Sequence, residues 1–199
     1  MQDCELMKEK LNVIEEACGL LLNDARPLAL DVIRQRYEFR SQFASRRHYT
    51  LGQKMKIFVR DGFIDRYSGQ KLVVPGILRV LSLYFPDEFP YQTHWKMSET
   101  HMAYWELTPT VDHLSPVAMG GADDERNWVT TSMIHNAIKS NWTLDQLGWK
   151  LHEPGDMNDW DGLTDLFIKL IHKDGDLLRD SYIYSCYVIS RKNEGEKSE

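Results

Sequence analysis

Apolar residues recur at helical spacing toward both ends of the chain and change rhythm in the middle. Leu6, Leu11, Ile14, Ala17, Cys18 and Leu21 fall three and four apart, which predicts a helix over residues 3–23. Asn23 and Asp24 interrupt that pattern. Pro27 then stands where a second helix would begin, since its fixed φ and missing N–H suit a first turn. This second helix, 27–46, is apolar through Val32, Ile33 and Phe43 and basic elsewhere. Residues 53–68 show no clean period and are expected to be irregular, with a glycine turn at Gly69. GILRVLSLYF at 76–85 predicts a short buried helix, followed by a loop rich in Pro and aromatic residues. Residues 103–114 predict a strand, 127–131 its hairpin partner, and 132–140 a helix with Thr131 or Ser132 as its N-cap. TLDQLGWKL and WDGLTDLFIKLIHK predict further helices. LLRDSYIYSCYVIS predicts a terminal helix, although its β-branched and aromatic content would also suit a strand.

These elements describe an α+β chain, mainly helical and organised as a single domain. Residues 1–50 form an N-terminal helical segment, 51–150 the central part with the hairpin, 151–190 a helical extension, and 191–199 a frayed tail. Trp95, Tyr104, Trp105, Trp128, Trp142, Trp149 and Trp160 are expected in the core.

Composition narrows the classes. The chain has 199 residues, of which 42% are hydrophobic and 27% charged, ordinary for a globular protein. No apolar run approaches the roughly 18 residues that a membrane span needs, so no membrane partner is expected. The opening MQDCELMKEK does not read as a secretory signal. Cys4, Cys18 and Cys186 form neither a disulfide framework nor a CxxC knuckle, which points to a reducing, cytoplasmic setting. The formal net charge is −6, but it is unevenly spread. Residues 34–71 hold ten basic against three acidic residues, while 145–180 hold nine acidic against four basic. The basic stretch would suit a nucleic-acid backbone if a phosphodiester site lay beside it.

The chemistry concentrates in VDHLSPVAMGGADDERNWVTTSMIHNAIKSN, residues 111–141. Asp112 and His113 end the predicted strand with side chains on opposite sides. Gly120 and Gly121 permit the positive φ of a tight return. Asn136 and Lys139, three apart, share a helix face, whereas His135 points about 100° away. Asp-His, then Asn127 fourteen residues after His113, then Asn136 nine further on and Lys139 three later, resembles the HNH endonucleases, the ββα-metal or His-Me finger nucleases. RDG at 60–62, Pro116 and the Gly-Gly pair extend the likeness over about residues 57–141.

The resemblance implies an HNH finger at the centre of the domain and a metal-dependent endonuclease acting on DNA, RNA being the weaker expectation. It makes His113 the general base that deprotonates water, a task suited to an imidazole with an ordinary pKa of about 6.5. Asp112 and Asn136 would hold one divalent cation. Their hard oxygens favour Mg²⁺, with Mn²⁺ as the other choice. Asn127 would brace the hairpin loop and keep His113 oriented, while Lys139 and Arg60 would contact phosphate. Many family members add a zinc knuckle of two CxxC pairs. Here those positions hold Asp65, Ser68, Ser132 and His135, so no structural zinc is expected, and packing and hydrogen bonding are expected to replace it. An ion shared by Asp65 and His135 is the exception to look for. The alternative function is a module that binds nucleic acid or protein without cutting. A double-strand cutter with one site per chain would require a homodimer or two encounters.

Overall fold

The computed structural model describes the backbone of residues 2–39 and 49–195, and the side chains of 8–39 and 49–192. Arg40, Phe43, Arg46 and Arg47 of the predicted basic helix lie outside the described residues, as do residues 196–199. The chain divides into two compact units, Met1–Ser45 and Arg46–Glu199.

The first unit is a pair of helices, α1 (Gln2–Leu22) and α2 (Arg26–Arg36). Ala17 and Ala29 are buried there, and Arg36 bonds Glu16 at 2.5 Å across the pair. Pro27 sits in the first turn of α2, as its chemistry requires. The helix ends at Arg36, short of the 46 expected, with Tyr37 leaving helical geometry at φ −149°.

The second unit opens with α3 (Leu51–Arg60), so 53–60 is helical rather than irregular, while 61–68 is turns and one isolated bridge, as expected. The signal lay in its first turn. Thr50 accepts from the Gln53 backbone while the Gln53 side chain accepts from the Thr50 backbone, a capping box that satisfies two exposed donors. Met55, Ile57 and Phe58 then form its buried face. Next comes α4 (Pro75–Tyr84), within a residue of the expected span. The predicted strand over 103–114 divides into α5 (Ala103–Leu107) and β1 (Pro109–His113). The one-turn helix is locked by Tyr104, whose ring is buried and whose hydroxyl meets Ser82 Oγ at 2.7 Å. Pro109, lacking an N–H, then suits the first position of a strand.

β1 pairs antiparallel with β2 (Trp128–Ser132), in a register that sets Val111 opposite Thr130 and His113 opposite Trp128. The short α6 (Met133–Lys139) follows, capped by Ser132. Beyond it lie the single turn α7 (Leu144–Leu147), α8 (Thr164–Lys173), a 3₁₀ turn over Gly175–Arg179, and α9 (Ser181–Gly195). The ambiguous C-terminal run is therefore helical, and α9 takes in the start of the expected tail. Phe58, Phe63, Val74, Ile77, Phe167, Ile171, Ile183 and Cys186 belong to one core, so the C-terminal helices pack with α3 and α4 as part of this unit. Trp142 departs from the expected aromatic core and is exposed. Among the described residues no helix is long and apolar enough to cross a membrane.

Candidate functional site

Strand alternation sends Val111 and His113 to one face of the hairpin and Asp112 to the other. The first face looks onto α3, because Thr130, paired with Val111, donates its hydroxyl to the Ile57 carbonyl. Asp61, the fully buried C-cap of α3, accepts from the Thr130 N–H at 2.7 Å and from Arg66. Arg60 bonds Asp61 and also donates to the carbonyls of Glu125, at 2.9 Å, and Trp128, at 2.6 Å. Arg60, expected at the phosphate, is thus engaged as a clamp on the hairpin.

The four positions that compare with a zinc knuckle form a different device. Asp65 is fully buried and accepts from the N–H groups of Ser132 and Tyr67 and the hydroxyl of Thr131. His135 Nδ1 lies 2.7 Å from Asp65 Oδ2 and 2.9 Å from Ser132 Oγ. At that separation Asp65 and His135 bond directly. Burial alone would raise the Asp65 pKa. The hydrogen bonds from Ser132, His135 and Tyr67 outweigh it and hold the carboxyl below its ordinary value. Ser68 stands apart, its hydroxyl accepting from the Gln70 N–H.

On the opposite face from His113, Asp112 is buried and its Oδ2 meets two donors. Tyr67 donates its hydroxyl at 2.7 Å and Lys139 its ammonium at 2.9 Å. Burial and the Asp112 charge push the Tyr67 pKa well above its ordinary value, so this hydroxyl stays a donor. Lys139, expected at the phosphate, is fully buried, and its Nζ also donates to the His113 carbonyl at 2.7 Å. Asn136 is half-buried, one turn before Lys139 on the same helix face. Its side chain makes no hydrogen bond among the described residues.

His113 is 4% exposed, and its Nε2 lies 2.7 Å from Asp123 Oδ1. That oxygen also accepts from Tyr49 Oη at 2.9 Å and Trp128 Nε1 at 3.1 Å. The His113 hydrogen bond, foremost among these, holds Asp123 below the usual carboxylate range despite some desolvation. An ionised carboxylate can only accept, which favours a hydrogen on Nε2, whereas the Trp128 Nε1–H, 3.1 Å from the same nitrogen, can only donate, which favours the other tautomer. Sequence reasoning passed over Asp123 because a carboxylate in a GGADDERN loop reads as solvated. The available signal was its place in the return, ten residues after His113.

Asn127 fixes that return. Its Oδ1 accepts from the Ser115 N–H, its Nδ2 donates to the carbonyls of Ser115 and Ala122, and its own carbonyl accepts from Leu114. The loop bearing Asp123 is thereby tied to both strands. Gly120 supplies the positive φ, at 91°, whereas Gly121 is needed for space: a Cβ there would lie 2.0 Å from the Ser115 carbonyl oxygen. Gly121→Ala must therefore open the loop. It is expected to cost about 1–3 kcal/mol of stability in chemical denaturation, as overpacking against fixed backbone does.

The arrangement holds an imidazole on one side of the strand end and a carboxylate on the other. Among the described residues no group of three or more His, Cys, Asp or Glu is placed to hold a metal. Asp112 Oδ1, which has no hydrogen-bond partner among them, and the Asn136 amide oxygen would fit a single hard cation that keeps most of its waters. Of the basic stretch, Arg36, Arg60 and Arg66 are engaged in internal pairs and Lys71 lies over the Trp160 ring, while Lys54 and Lys56 have no acidic partner among the described residues. No family model, no characterised protein and no solved structure matches this chain.

Proposed function

We propose that the second unit is a metal-dependent endonuclease of the HNH kind that hydrolyses phosphodiester bonds in DNA. The observation that carries this reading is the 2.7 Å contact between Asp123 and His113 Nε2, directly beside Asp112 in the chain. With its hydrogen on Nε2, toward Asp123, His113 would take a proton from water at Nδ1. The oxygen so activated attacks phosphorus, and the bond to the leaving 3′ oxygen breaks with its electron pair. Asp112 and Asn136 would hold one Mg²⁺ or Mn²⁺, which supplies charge stabilisation at the leaving oxygen. Asn127 keeps the Asp123 loop closed over His113. Lys54 and Lys56, with Arg40, Arg46 and Arg47 of the undescribed stretch, supply the salt-sensitive attraction to a nucleic-acid backbone.

One observation favours the alternative, a module that binds nucleic acid without cutting it: Lys139 already neutralises Asp112. Incubating supercoiled plasmid with the protein in Mg²⁺, Mn²⁺ or EDTA decides between them. Nicked or linear DNA is expected with either cation and none in EDTA, with the circular dichroism spectrum unchanged by the chelator. Plasmid bound in a gel shift but left intact with both cations would establish the binding module. Linear product without a nicked intermediate would point to two copies acting together.

A further inference from the structure

We infer that Lys139 is the resident counter-ion of Asp112 and keeps the site's affinity for a divalent cation low until a phosphodiester adds negative charge beside it. This inference rests on the nuclease reading for the identities of cation and substrate.

A fully buried ammonium persists only where it is paired and hydrogen-bonded. Lys139 meets that condition with Asp112 Oδ2 at 2.9 Å, the His113 carbonyl at 2.7 Å and the Tyr67 ring face at 5.6 Å. Asp112 and Lys139 together are formally neutral. A dication added to Asp112 would leave two net positive charges beside a buried carboxylate. The neighbouring carboxylates are committed elsewhere, Asp123 to His113 and Asp65 to Ser132 and His135. The ligand helix compounds the effect, since α6 presents the neutral ligand Asn136 and the cation Lys139 on one face.

Magnesium sites commonly use one or two carboxylates and take the rest of their charge from substrate phosphate. A phosphodiester here would supply what Lys139 removes. Cation and substrate then assist each other's binding, and the coupling is reciprocal.

Mn²⁺ titration of the full chain, followed by the electron paramagnetic resonance of free Mn²⁺, tests this without turnover. Wild type is expected to bind in the millimolar range, and Lys139→Gln, which keeps a donor for the His113 carbonyl, to bind about tenfold tighter or more. Lys139→Met provides the same reading should the glutamine variant fail to fold by circular dichroism. In a His113→Ala background a phosphodiester duplex should tighten Mn²⁺ binding, and a duplex of uncharged methylphosphonate linkages should not. Tight binding by wild type that Lys139→Gln leaves unchanged would overturn the inference and leave the cation reading standing. Binding by neither protein, at any concentration up to tens of millimolar, would remove both.

Discussion

Replacing His113 with Ala is expected to lower plasmid nicking by about 10²–10⁴-fold, the usual contribution of a positioned general base. The protein should stay folded, because the core that carries β1 lies in Val111, Trp128 and the α3 face rather than in the imidazole. A graded partner makes the experiment more informative. Asp123→Ala removes the acceptor that Nε2 faces and leaves the Trp128 Nε1–H, 3.1 Å from the same nitrogen, to draw the lone pair there, so the ring hydrogen moves to Nδ1. The base is then spoiled without being removed. The loss should approach that of His113→Ala in kcat, with KM little changed. Nitrogen-15 chemical shifts of the ring, identified by their absence in His113→Ala, should report the tautomer exchange directly. A wild-type ring bearing its hydrogen on Nδ1 would sink the assigned role of Asp123.

Asp65→Ala is expected to produce the largest loss of stability, about 3–5 kcal/mol, as when one partner of a buried charged cluster is removed. Its carboxylate serves two backbone N–H groups, the Thr131 hydroxyl and His135, and alanine would leave those donors buried and unanswered. Asp65→Asn should recover little, since its amide turns a donor toward other donors. The sign of the pH dependence follows from the lowered pKa of Asp65. A carboxyl whose folded pKa lies below its unfolded value, near 3.9, stabilises fully above that value. It loses this contribution as pH falls through the lower folded one. Denaturation midpoints measured from pH 6 down to pH 2 should therefore converge for wild type and Asp65→Asn at the acid end.

What could be read from the chain depended on whether the cause was local. The hairpin and α6 follow from Asp112 to Lys139 because strand alternation, the Gly-Gly return and a Ser cap each act within a few residues. Helix α3 was missed although its capping box, Thr50 with Gln53, is equally local. The run Ile57-Phe58-Val59 leaves no clean period in the sequence, and tertiary burial of Met55, Ile57 and Phe58 on one face supplies what the pattern lacks. Residues 103–107 failed for a similar reason, with Tyr104 anchored across space to Ser82. Within the site, the positions were legible but the partnerships were not. A lysine on a short helix reads as solvated or as a phosphate contact, and only the closed fold shows Lys139 under the hairpin against Asp112. Asp123 and Arg60 likewise gain their roles from contacts with His113 and the 125–128 backbone.

The aspartates at the end of α3 also bear on how the finger folds. Asp61 reaches Thr130 across 69 residues of chain, and Asp65 reaches Ser132 across 67. Both bonds close nearly the same long loop, whose ordering entropy must be met before either contact contributes. The β1–β2 hairpin can form early by itself, yet its seat on α3 waits for that closure. Docking of a preformed hairpin after the rate-limiting step is the folding order this arrangement implies. Substitutions at Asp61 and Asp65 should accordingly speed unfolding far more than they slow refolding.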